Sequence, residues 1–189
     1  MFEASGMGVP DHRFNIRLGV ALIPFLLKSG CATAKEINKT YDNSRIIKNI
    51  PFYPQEEYQC GPSSLSGVLN YWGVAVTPDV IAKDIYSRSA RGTLNIEMIF
   101  YVRKKGLAVS QYSGSLEDLK KKIDSGYPLI VLVDYGAFFY QVNHFMVVIG
   151  YSENGVIANS GKEEKKFIPM DDFLGLWEKT RFWTLLIRK

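Results

Sequence analysis

Cysteine and histidine can exchange a proton near neutral pH and assist covalent chemistry, and both are scarce here. The 189 residues hold two of each, Cys31 and Cys60, His12 and His144. Cys60 opens the segment CGPSSLSGVLNYWG, in which Leu65, Val68, Leu69 and Trp72 fall at i, i+3, i+4 and i+7. With Pro62 in the first turn and Gly73 at the end, the spacing predicts a helix with one buried stripe. A thiol at a helix start meets unpaired backbone N–H groups and the positive end of the helix dipole, and both favour a thiolate. Gly61 would let a substrate backbone approach without a Cβ in the way. This is a nucleophile's setting, although by residue type alone cysteine is more often a small buried hydrophobe.

A sulfur nucleophile needs a base, an oxyanion site and something to orient the base. His144 begins an apolar run directly after Ala137–Asn143 (AFFYQVN), an aromatic loop expected to wall a cleft. Facing the helix start, its imidazole would take the Cys60 proton as general base and later protonate the leaving amine, whereas alone it would read as a core histidine. The backbone N–H of Cys60 supplies one oxyanion donor, and an upstream glutamine amide would supply a second. Gln55 and Gln59 both qualify by type. Gln55 is preferred, because Gln59 adjoins the nucleophile and in an extended chain points away from the same cleft. Asn159, fifteen residues after His144 and across a hairpin, is the candidate to orient the imidazole. Two cysteines and two histidines do not make the spaced ligand pairs of a structural zinc site, and no phosphate-binding glycine loop is present, so no metal or cofactor is expected.

The elements that must hold these residues read as helices first and strands second. After the Cys60 helix, a second is expected beyond Thr77-Pro78. A third spans Leu94–Lys105 with Ile96, Ile99 and Phe100 inward, and a fourth spans Ser115–Ser125 on Leu116, Leu119 and Ile123. PLIVLVDYG and HFMVVIGY are continuous apolar runs of the kind found in strands covered on both faces. Ser152-Glu153-Asn154-Gly155 reads as a hairpin turn with Asn-Gly in left-handed dihedrals, leading to a strand at Val156–Asn159. Short strands at Phe167-Ile168 and Trp183–Ile187 flank a helix at Asp171–Lys179. The class is α+β, with a helical N-terminal half and an antiparallel β C-terminal half.

Composition sets limits. At 47% hydrophobic and 22% charged, with a mild +4 from scattered residues, the chain can bury a core and shows no electrostatic footprint for nucleic acid. Ahead of the domain, Leu18–Leu27 is ten apolar or small residues interrupted by Pro24, too short for a lasting membrane span and suited to a signal segment over residues 1–30. Ser29-Gly30-Cys31-Ala32 resembles the cleavage box of bacterial lipoproteins, with Lys28 where that box takes an apolar residue. The resemblance implies acylation of Cys31 and an exported, membrane-anchored protein. A secreted form or an uncleaved signal anchor are the alternatives, and a Cys31–Cys60 disulfide is a further reading. Residues 31–49 would form a tether and 50–189 the domain.

PFYPQEEYQCGPSSLSGVLNYWG, with NHFMVVIGY and GVIANSG, resembles the double-glycine, bacteriocin-processing peptidase-like group of the papain-like cysteine peptidases, from about Ile50 to the C-terminus. By motif the resemblance implies a papain-like fold with Gln55 at the oxyanion site, Cys60 as nucleophile and His144 as base. Many members carry Asn-Asp-Pro where this chain has Asn159-Ser160-Gly161, so the orienter is Asn159, Ser160 or a backbone carbonyl. The implied activity is hydrolysis of a peptide or amide bond in a peptide or protein substrate through a Cys60 thioester. An inactive binding module and a papain-like transpeptidase are the alternatives. No double-glycine specificity follows, since these residues hold no transporter or ATPase unit. Oligomeric state is not legible.

Overall fold

The computed structural model describes residues 43–55 and 59–189, all within the compact unit Ala32–Lys189. The expectations for Leu18–Leu27 and for acylation of Cys31 therefore lie outside the described residues. In chain order the elements are β1 (Arg45–Ile46), α1 (Cys60–Tyr71), α2 (Pro78–Ile85), β2 (Tyr86–Ser87), β3 (Gly92–Thr93), α3 (Asn95–Lys104) and β4 (Ala108–Ser113). They continue with α4 (Leu116–Asp124), β5 (Leu129–Asp134), β6 (Asn143–Tyr151), β7 (Gly155–Ser160), β8 (Glu163–Pro169), α5 (Met170–Glu178) and β9 (Trp183–Arg188). Every strand pairing is antiparallel, and the class is α+β as expected.

The main sheet runs β4-β9-β5-β6-β7-β8, with β1 pairing to β6 past the end of β5. Helices cover both faces, which is why β5 and β6 read as unbroken apolar runs. Side chains alternate along each strand, so Ile130, Leu132, Phe145, Val147 and Leu185 pack with α1, α2 and α3, while Val131, Val133, Met146, Val148 and Leu186 pack with α4 and α5. Each fully buried Leu, Ile or Val contributes about 1.5–3 kcal/mol relative to exposure. The fourth helix starts as its sequence implies, with Ser115 Oγ accepting from the Asp118 N–H at 3.1 Å.

Four sequence expectations change. In α3 the buried residues are Met98, Tyr101 and Val102, while Ile96 and Phe100 are about half exposed at 47% and 53%. Two apolar stripes share the helical spacing there, and the second faces the sheet. Arg45 and Ile46, placed in the tether, belong to the sheet, so ordered structure begins upstream of Ile50. The strand β4 and the small β2–β3 hairpin carry no apolar run and were not anticipated. Neither Asn154 nor Gly155 takes a positive φ. Instead the turn closes through Ser152 N–H to Gly155 O at 2.8 Å, and Gly155 is required because a Cβ would stand 2.3 Å from Ile168 O.

Candidate active site

Cys60 is the first residue of α1, where the preceding Gln59 makes no side-chain cap, so the first-turn N–H groups stay available to a ligand. Its thiol is free and partly buried. Backbone N–H groups of Phe145, Gly61 and Cys60 itself favour the thiolate, yet burial outweighs them and holds the thiol above its ordinary pKa. The expectation that a helix start alone would yield a resting thiolate is corrected: desolvation of the sulfur is the larger effect. Nor does Gly61 stand open to a substrate, because a Cβ there would lie 2.7 Å from Thr93 Cβ. The glycine lets the β2–β3 hairpin close over the helix start.

Phe145 joins the two halves of the site. Its N–H faces the Cys60 thiol, its carbonyl accepts from Gln55 Nε2 at 3.3 Å, and His144 precedes it on β6. Gln55 is buried and anchored a second time by its own N–H to Gly161 O at 2.9 Å. Its Oε1 and the hydroxyls of Ser63 and Ser64 are buried without a hydrogen-bond partner among the described residues, around a cavity of about 10 Å³.

His144 is mostly buried, with Nε2 3.1 Å from Ser160 Oγ and its ring 5.8 Å from that of Tyr135. In the tautomer whose Nε2–H donates to Ser160 Oγ, Nδ1 is the proton-accepting nitrogen. Burial first, and the charge of Lys166 second, lower the imidazole pKa to about 4. Lys166 is itself paired with Glu163 at 2.6 Å. The thiol is held by backbone N–H groups, that of Phe145 among them, while the imidazole of the preceding residue bonds Ser160 on the face shared with Val133 and Met146.

Asn159 does not reach the imidazole. It registers opposite Val147, on the face toward α1, and its Oδ1 accepts from the Lys165 N–H at 3.0 Å. His144 lies on the opposite face, and side-chain alternation along β7 puts Ser160, one residue after Asn159, on that same face. Gln55 and Cys60 thus meet the Phe145 backbone on the α1 side, His144 and Ser160 pair on the other face at the same end of the sheet, and Asn159 binds the Lys165 N–H of β8.

Thr93, Tyr135 and Lys166 also border the site. They meet it across strands or from a separate hairpin, so no spacing in the sequence signals them. A groove of about 540 Å³ runs beside His144 along β8 and α5, bounded by Tyr135, Lys166, Pro169, Leu176 and Lys179. The aromatic loop does not wall the cleft as expected: Phe138 and Phe139 are fully exposed. Among the described residues no three His, Cys, Asp or Glu side chains group in a way that could hold a metal ion.

The same architecture occurs in solved structures. A C39-like chain from Bacillus anthracis superposes with a TM-score of 0.67 at 18% identity, covering 78% of this chain and 98% of that one. The peptidase domain of Streptococcus ComA, a bifunctional ABC transporter of a quorum-sensing pathway, gives 0.63 at 20% identity, covering 74% and 98%. A double-glycine-motif protease from an AMS/PCAT transporter, solved with its leader peptide, gives 0.61 at 24% identity, covering 76% and 94%. No curated protein matches the chain in sequence. The family model of the Peptidase_C39-like proteins matches residues 47–184, which take in every element from α1 to the start of β9, and with this match the chain belongs to the Peptidase_C39-like family.

Proposed function

We propose that this chain is a cysteine peptidase that cleaves a peptide or amide bond through a Cys60 thioester. The observation that carries this is that the Cys60 thiol and the Gln55 amide both bind the backbone of Phe145, the residue that follows His144 on β6. Because thiol and imidazole rest neutral, the proton passes from Sγ to Nδ1 as the sulfur attacks the substrate carbonyl, rather than beforehand. The Cys60 N–H and the second N–H of the Gln55 amide receive the oxyanion. The tetrahedral species then expels the amine, which takes the proton from His144, and water hydrolyses the thioester by the same base. Ser160 Oγ, accepting from Nε2–H, positions the ring in the tautomer this step uses. The groove along β8 and α5 supplies space for substrate side chains, in keeping with the leader peptide bound to the double-glycine protease that shares the fold.

The alternative is a binding module that keeps the cleft without turnover. A specific observation favours it: the imidazole faces a hydroxyl and a lysine instead of a carboxylate, so nothing anionic stabilises an imidazolium. Incubating the chain with a peptide library and reading new amine termini by mass spectrometry separates the two. Peptidase action requires cleavage that Cys60→Ala abolishes and His144→Ala lowers by at least about 10²-fold. Binding of peptides without cleavage by the wild type would establish the module. We also propose export and acylation at Cys31, on the strength of the Ser29-Gly30-Cys31 box. Acyl labelling that is absent from Cys31→Ala would support it, and an intact Leu18–Leu27 in the mature protein would exclude it.

A further inference from the structure

The loop between β5 and β6 presents its most apolar side chains to solvent. Phe138 and Phe139 are completely exposed, Tyr140 is 75% exposed, and Tyr135 and Val142 are partly so. A loop that could fold these rings inward would do so, since each buried ring gains on the order of 1.5–3 kcal/mol.

This loop is instead braced outward. Buried Asp134 accepts from the N–H groups of Gly136 at 2.8 Å and Val142 at 2.7 Å, which closes the loop at its base and lowers the carboxyl pKa. Tyr135 N–H donates to Val142 O, Tyr140 N–H to Ala137 O, and Lys179 Nζ to Gly136 O at 2.8 Å. Gly136 has no room for a side chain, since a Cβ would stand 1.8 Å from Tyr140 O. The result is a short, cross-tied projection with an aromatic tip.

Its surroundings are cationic. The β7–β8 turn and the α5–β9 connection emerge at the same end of the sheet, as His144 to Ser160 and Thr180 Oγ1 to Leu132 O show. They expose Lys162, Arg181 and Glu178, together with Lys179 whose Nζ is tied to Gly136 O, so basic side chains outnumber acidic ones at this end. Lys165 and Lys166 in the same region are paired with Glu164 and Glu163.

Braced aromatic rings beside a net excess of basic side chains match an anionic bilayer surface, where rings enter the headgroup–acyl boundary and cations meet lipid phosphates. We propose that the Phe138–Tyr140 tip inserts into the interface of an anionic phospholipid membrane, turning the Cys60–His144 end of the sheet toward it. The inference does not depend on catalytic turnover.

Residues 18–27 could bind lipid by themselves, so the test needs a local probe in the full chain. Phe139→Trp places an indole at the tip, and the difference from wild type removes the signal of the native tryptophans. On vesicles of phosphatidylethanolamine and phosphatidylglycerol, the added emission should shift to the blue and be quenched by lipids doxyl-labelled near the headgroup. Adding Phe138→Ser should raise the lipid concentration for half-maximal quenching by about tenfold. Lys162→Gln and Arg181→Gln should each raise it by about fivefold on anionic vesicles and little on phosphatidylcholine. Emission that stays as in buffer at every lipid concentration would overturn the proposal. So would a blue shift that follows protein concentration, which marks a second copy as the occupant, or one that follows added peptide, which marks a substrate flap.

Discussion

At the scale of single residues, the hydroxyl beside His144 is the feature with the most direct chemical consequence. A neutral imidazole with a pKa near 4 remains a competent base well below pH 6, so the acid limb of the rate profile should fall near that value rather than near the ordinary histidine value of ~6.5. Ser160→Asp would put a carboxylate on Nε2, raise the imidazole pKa and move the acid limb upward. The rate at neutral pH should rise, because the carboxylate stabilises the imidazolium formed in the transition state. Asn159→Ala should leave that limb in place and cost about 1 kcal/mol of stability, since it removes an acceptor for the Lys165 N–H. The pH–rate profiles of both variants, with denaturant melts, decide between the neighbours. An acid limb moved by Asn159→Ala would contradict the geometry.

The placement of Cys60 at a helix start and of His144 at a strand start was legible because each rests on a local signal, and Gln55 was chosen by its type and its distance ahead of that helix. The choice between Asn159 and Ser160 depends on which face of β6 carries His144 and how β7 registers against it, which no side-chain pattern within β7 announces. The thiol's raised pKa was equally hidden, because it reflects how deeply the strand buries the helix start.

Among the elements, β5 and β6 were readable from their runs of β-branched residues, and α1 from one apolar stripe and its terminal signals. In α3 the sequence fits two stripes, and only packing against the sheet selects Met98, Tyr101 and Val102. The β2–β3 hairpin has two-residue strands and was invisible, yet it sits on the nucleophile's helix through Thr93 and Gly61. Gly61→Ala should therefore destabilise the fold by about 1–3 kcal/mol, through displacement of the hairpin. The double variant Gly61→Ala with Thr93→Gly should recover most of that loss in a thermal or urea melt. An alanine tolerated alone would mean that Thr93 does not pack there.

For the molecule as a whole, a sheet covered on both faces places its one described histidine in a largely dry position. The folded pKa of His144 lies below the unfolded one, so the unfolded chain binds more protons between about pH 6.5 and pH 4. Stability should fall as pH drops through that window. His144→Gln should flatten the decline, measured as the difference in Tm between pH 7 and pH 4.5. An equal decline in both proteins would assign the acid sensitivity to other groups.

The short β1 pairing also bears on how the domain responds to load. Chain entering from the N-terminal side is clamped at Arg45 and Ile46, opposite Tyr151 and Gly150, nine residues before it reaches Gln55. Gly150 makes this clamp close-fitting, because a Cβ there would lie 2.6 Å from Arg45 O. A pull on the N-terminal segment is therefore resisted first by β1 against β6, at the end of β6 away from His144. Tension would have to shear that contact before it could move Gln55, so the strand works as a strain relief between a load on the N-terminal side and the candidate site.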